Sequence, residues 1–306
     1  MAPLAGCSTV PRQEDVTGET TPRIVQKIRC EARDALDRMT IDLLRDPNFD
    51  ANPTTLDFAD RIEHRLMRGT ALADPGNFKR LPKRQQKIFE QFTLSAVTFD
   101  FKFFIEEENL NSASSIFAYP ILSGAFNLGP GVEGNFGRET EKRFQVTNTF
   151  FVLHDIDPNR CDVVTARAEN AIYPITGKIG VEKIFREFID IDEMRSKYTE
   201  TTTYTDRLTF ATEYKAGVTP ALTLSPVLTN RFELSSATST FSARRKDTHE
   251  VTFSIAKGEP ANGRNILLEF DLARQQAARI SIQNADAARL QNLIIVRRDL
   301  LAARLR

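Results

Sequence analysis

The spacing of apolar positions along this chain first changes period close to residue 95. Before it, Ile24, Ile28, Ala32, Leu36, Met39 and Leu43 recur at three and four residues, which predicts an amphipathic helix. Thr21-Pro22 starts that helix, with a hydroxyl cap and proline in the first turn, and Asp46-Pro47 ends it. Shorter helices are expected with Phe58, Ile62 and Leu66 on one face, and after Pro82 with Ile88 and Phe92. Beyond residue 95 the period becomes two. Val97, Phe99, Phe101 and Phe103 alternate with Thr98, Asp100 and Lys102, and Leu208, Phe210, Thr212 and Tyr214 alternate in the same way. Each run predicts a strand with one buried face. The segment Phe144 to Val152 and the set Ile266, Leu268 and Phe270 also read as strands, whereas Val181 to Lys197 and Leu293 to Arg306 read as helices.

The two strand-rich stretches look like copies of one another. Pro120-Ile121-Leu122, Phe126, Leu128, Phe136, Arg138, Val146 and Thr147 match Pro226-Val227-Leu228, Phe232, Leu234, Phe241, Arg244, Val251 and Thr252 at a near-constant offset. Turns are expected at Gly129-Pro130-Gly131, Glu139-Thr140-Glu141, Ser235-Ser236 and Arg245-Lys246-Asp247. The expected fold class is α+β, with a helical N-terminal region, a duplicated antiparallel β module resembling a sandwich, and interleaved helices. The segments are a leader and tether over 1–21, a helical region over 22–94 and the first β copy over 95–155. A linker with a helix over 156–200, the second β copy over 201–257 and a C-terminal strand and Arg-rich helix over 258–306 complete the chain. Phe99, Phe101, Phe126, Phe210, Phe232 and Phe253 are the expected core. The stretches Glu106 to Ser115, Gly129 to Gly137 and Arg244 to Thr248 are the expected contact loops.

Composition narrows the classes. Forty-one basic residues balance 41 acidic ones among 306, so the chain lacks the overall basic field that gathers nucleic-acid backbones. No apolar run reaches the ~18–20 residues of a spanning helix. The core should be rich in phenylalanine, with 22 Phe and no Trp.

Leu4-Ala5-Gly6-Cys7, followed by Ser8 and a polar run to Thr21, resembles the lipobox of bacterial lipoproteins. The resemblance implies cleavage before Cys7, acylation of its thiol, and a tether hanging the folded body at the periplasmic face of the outer membrane, given an export signal upstream. Cys30 and Cys161 would then be the two remaining thiols in an oxidising compartment, either bridged or separately buried.

Candidate chemistry is sparse. Gly129-Pro130-Gly131-Val132-Glu133-Gly134 fits the dinucleotide pattern by letter, but the strand expected after it makes a glycine-rich hairpin loop the better account. His154, Asp155, Asp157, Cys161 and Asp162 offer metal donors without paired His or Cys spacing, and Asp190, Asp192 and Glu193 lack the remainder of a calcium loop. His64, His154 and His249 accompany no nucleophile motif, and Glu106-Glu107-Glu108 reads as a solvated acidic run. The eight arginines after residue 263, with no lysine, suit a helix docked by its apolar stripe. No catalytic residue, metal or cofactor is assigned. The expected function is a non-enzymatic envelope lipoprotein acting in binding or assembly through an envelope partner or self-association, with membrane contact through the lipid and no nucleic acid. A self-assembling multi-subunit β-barrel or pore is the alternative, and a hydrolase comes third.

Overall fold

In the computed structural model, residues 10–46, 53–68, 83, 92–121, 124–156, 160–161, 170–195, 203–219, 221–223, 233–258, 268, 270–284 and 286–287 are described. The three-and-four spacing folds as helix. A short helix α1 (Glu14–Thr17) ends on Gly18, whose φ of 68° is the left-handed cap that glycine adopts without strain. Helix α2 (Thr21–Arg45) carries Pro22 in its first turn and stops at Asp46, which is extended. Helix α3 (Pro53–Arg68) packs on it through Phe58, Ala59 and Ile62 against Ile41 and Leu44. Later helices are α4 (Phe150–His154), α5 (Val181–Arg195) and α6 over residues 270–284.

The strands are β1 (Ala96–Ile121), β2 (Gly124–Leu128), β3 (Gly131–Thr149), β4 (Thr203–Val218), β5 (Ala221–Thr223) and β6 (Glu233–Ala256). They form one sheet ordered β2-β1-β6-β4, with β3 also on β1 and β5 also on β6. Functionally this is two long hairpins side by side, since β2 continues into β3 after Gly129-Pro130 and β5 continues β4. Register is constant along the first hairpin. Phe117 opposes Leu128 and Ile121 opposes Gly124, and the same pairing brings Glu107 to Arg138, Phe101 to Phe144 and Thr98 to Thr147. Between hairpins, Phe99 meets Phe253, Phe103 meets His249 and Glu107 meets Arg245, again without a slip.

The chain divides into two units, and the boundary falls within the long strands. One comprises Glu19–Lys102, Arg143–Thr209 and Glu250–Arg306 and holds the core. There Phe99, Phe101 and Phe253 are fully buried, while on the other face Ala96 and Ala256 receive Ala273 and Ala277 of α6. Phe150 of α4 packs on Phe185 and Phe188 of α5. The other unit comprises Met1–Gly18, Phe103–Lys142 and Phe210–His249, and consists mainly of sheet.

The α+β class stands, with several corrections inside it. The hairpins share one sheet instead of facing each other as a sandwich. Glu139 to Glu141 and Arg245 to Asp247 are strand, not turns, and Arg245 reaches across to Glu107 of β1. Glu106 to Ser115 lies inside β1, residues 131–137 inside β3 and Arg244 to Thr248 inside β6, so the expected contact loops are strands. The strand of residues 144–152 ends at Thr149, whose hydroxyl accepts the Val152 N–H at 3.2 Å and opens α4. Leu268 and Phe270 are helical instead of extended. Phe210 is half-buried, and the side chains of Phe126 and Phe232 fall outside the described residues, as do Ile88 and Leu293 to Arg306.

Candidate functional site

In the sheet of the strand-rich unit the described burial stops at Phe103, Ile105, Asp247 and His249. None of the described side chains of residues 106–117, 128–147, 203–219 and 236–246 is buried. A strand alternates its side chains between two faces, and the constant register assigns each residue to one of them. On the face that Phe103 and Ile105 occupy, a charged row runs through Arg138, Glu107 and Arg245. Beyond that row towards the hairpin ends the same face carries Leu128 from β2, Phe136 and Val132 from β3, Phe117 and Ala113 from β1, Phe241 and Ala243 from β6, and Ala216 and Val218 from β4. No described side chain in that region of the face is charged. Val132 is 76% exposed, Val218 66% and Phe136 63%. Gly134 lies beneath the Phe136 ring, where a Cβ would stand 3.1 Å from it. Small residues between the large ones leave a shallow groove of about 570 Å³ lined in part by Ala113, Ser115, Pro130, Val132, Ala237 and Ser239.

The opposite face is polar and small. It carries Ser112 and Ser114, Gly131, Glu133 and Asn135, Gly217 and Thr219, and Thr240 and Ser242, with Leu110 and Ile116 as its apolar members. Lower on this face Arg244 donates to Glu213 at 2.6 Å and Glu108 at 3.2 Å, and Lys215 lies 3.3 Å from Glu213. The Arg244 hydrogen bond, joined by Lys215, holds the Glu213 carboxyl below the usual carboxylate range.

Below the charged row, the fully buried Asp247 accepts two bonds from Arg245, which also reaches Glu107 and the Arg12 carbonyl. Burial pushes the His249 pKa down to about 4; Asp247 opposes that shift and Arg245 adds to it.

The residues singled out from sequence are scattered. Cys30 and Cys161 are joined in a disulfide with a Cα–Cα distance of 5.8 Å. His154 Nδ1 lies 2.7 Å from Asp37 of α2, in a nearly closed setting. It thereby serves a structural pair, while Asp157 and Asp162 lie outside the described residues. Among the described residues no group of three His, Cys, Asp or Glu is placed to hold a metal ion. Asp192 pairs with Lys257 at 2.6 Å, and His64 is exposed on α3. The glycine-rich motif spans the Gly129-Pro130 break and the start of β3, with no helix after it to receive a phosphate. Cys7 lies outside the described residues.

What sequence reasoning missed is the extent of polar burial on α2. Glu31 accepts the N–H groups of Ile179, Gly180 and Val181 at 2.7–2.9 Å, while burial pushes its carboxyl up against them. Arg33 donates to Asp34 and to the Ile156 carbonyl. A stripe of apolar spacing shows only one face of a helix, and these charges are read as solvent-facing until their partners are known.

Among solved structures, the chain resembles the secretin InvG of the Salmonella SPI-1 type III secretion injectisome in its open gate state. The identity is 5% over 60% of this chain and 66% of that chain, with a TM-score of 0.22. The InvG secretin-domain β-barrel follows at 7% identity over 60% and 69%, with a TM-score of 0.17. Scores of this size do not establish a shared fold. The uncharacterized protein y4kA of Sinorhizobium fredii (strain NBRC 101917 / NGR234) is 29% identical over 320 residues, covering 97% of this chain and 93% of that protein. A family described as uncharacterised protein y4kA matches residues 10–267. That match covers the folded body and overturns the lipoprotein-family reading, which rested on Leu4 to Cys7 alone. A protein of helices and two long hairpins in one sheet, this chain belongs to the y4kA family.

Proposed function

We propose that the chain is a non-enzymatic assembly component of the cell envelope, one four-stranded stave of a multi-subunit β-barrel. The observation that carries this reading is a sheet whose described side chains beyond the charged row are all unburied, with long open borders. Among the described residues, β4 pairs only with β6 and its segment Thr203–Val218 presents a second edge; residues 131–137 of β3 do so on the far side. A single-layer sheet of this length buries too little to stand by itself in water, and its unpaired edges recruit further strands. The two borders run in opposite directions, because β1 and β4 ascend while β3 and β6 descend. Head-to-tail contact of β4 in one copy with β3 in the next therefore continues the antiparallel ladder, and such a contact closes into a ring when the rotation permits. A disulfide also suits an oxidising compartment.

The test uses proline at two adjacent positions of β4, Ala211→Pro and Thr212→Pro. Successive N–H groups point to opposite sides of a strand, so one of the two variants removes a donor from the outer border alone. Native mass measurement of the wild type is expected to give a closed oligomer of one size. The outward-facing variant is expected to give a monomer with unchanged circular dichroism. A wild type that stays monomeric at all concentrations, or two proline variants that assemble like it, overturns the reading.

A further inference from the structure

The open sheet is asymmetric in a way that assembly by itself does not require. Edge pairing satisfies backbone groups and is indifferent to which side chains stand on each face. Here one face is uncharged over nine residues of β1 and the rows beside them, from Asn109 and Phe136 to Phe117 and Leu128; five large apolar side chains on it are exposed, and Asn109, Asn111, Ser115 and Ser239 are its polar members. A tilted strand needs ~9–11 residues to cross bilayer hydrocarbon. The other face, over the same rows, carries serine, threonine, glycine, asparagine and Glu133, with Leu110 and Ile116 as its large apolar side chains. Apolar outside and polar inside with a period of two is the pattern of strands standing between lipid and a water-filled lumen. The band is bounded on its own face by Arg138, Glu107 and Arg245, a row that suits the headgroup level.

We propose that this band is the lipid-facing belt of the barrel and that its occupant is bilayer hydrocarbon, so that the assembled ring spans a membrane through its strands. This rests on the reading of the sheet as a barrel stave. The lumen would then be lined by Ser112, Ser114, Thr219, Thr240, Ser242 and Glu133, a hydrated and weakly selective surface. None of the described helices is long and apolar enough to cross a membrane.

The test adds the full chain to phosphatidylcholine–phosphatidylglycerol vesicles loaded with a fluorescent dye and follows flotation, dye release and ring mass in parallel. The wild type is expected to float with the vesicles and release dye. Val132→Lys and Val218→Lys are expected to keep the ring mass in detergent and to lose at least tenfold in dye release, while Ser242→Lys, on the polar face, keeps it. Rings that form but neither float nor release dye overturn the belt while leaving the stave intact, and so do lysine variants that release dye like the wild type. Failure of ring formation by the wild type in detergent as well as with vesicles strikes instead at the assembly reading on which the belt depends.

Discussion

His249 is a histidine held neutral by its surroundings. Its ring meets Phe103 edge-on with centroids 4.9 Å apart, and burial sets its pKa at about 4, below the ordinary 6.5. The unfolded chain therefore takes up a proton at pH values where the folded chain refuses one. The stability it contributes is full above about pH 6.5 and falls as the pH drops towards 4, by up to about 1.4 kcal/mol per pH unit. Urea unfolding of wild type and His249→Leu across that range checks this, since the difference between their slopes isolates the imidazole from the carboxylates. Phe99 gives a second expectation. It is fully buried between Phe101 and Phe253, so Phe99→Ala should cost ~3–5 kcal/mol in the same measurement. Phe136→Ala should cost far less in the isolated subunit, because that ring is already 63% exposed.

Elements differ in how openly the sequence announces them. Helix α2 and the start of β1 were legible because a strong period was bracketed by a proline start or a sharp change of spacing. The α4 start carried a readable signal, a threonine cap before Phe150, that was overridden by apparent alternation up to Val152. Residues 270–284 show the same conflict. Ile266, Leu268 and Phe270 alternate, yet Phe270, Ala273, Ala277, Ile280 and Ser281 follow the helical spacing that tertiary packing against Ala96 and Ala256 rewards. Arg245-Lys246-Asp247 of β6 reads as a turn because the partner of Arg245 on the neighbouring strand, Glu107, leaves no mark in local sequence. On α2, Glu31→Ala should strand three N–H groups at the start of α5 and cost on the order of 3 kcal/mol, while Glu31→Gln, which keeps an acceptor, costs less. Thermal unfolding of both variants measures the difference.

At the scale of the whole molecule, the alternation in β1 and β4 was legible but its meaning was not, because an apolar face buried in a sandwich and one turned to lipid have the same period. Only the pairing of strands, which depends on contacts more than a hundred residues apart, shows that nothing described in this chain covers that face. If subunits support one another along β3 and β4, the midpoint of thermal unfolding should rise with protein concentration, whereas a self-sufficient monomer gives a constant midpoint. Calorimetry over a hundredfold dilution separates the two. The bond between Cys30 and Cys161 spans 131 positions of sequence, and β1, β2 and β3 all lie within that span. The first hairpin is thus an insertion in a covalent ring. A protease that cuts once anywhere along it leaves both fragments tethered, so a nicked chain migrates as one band until reductant is added and then as two.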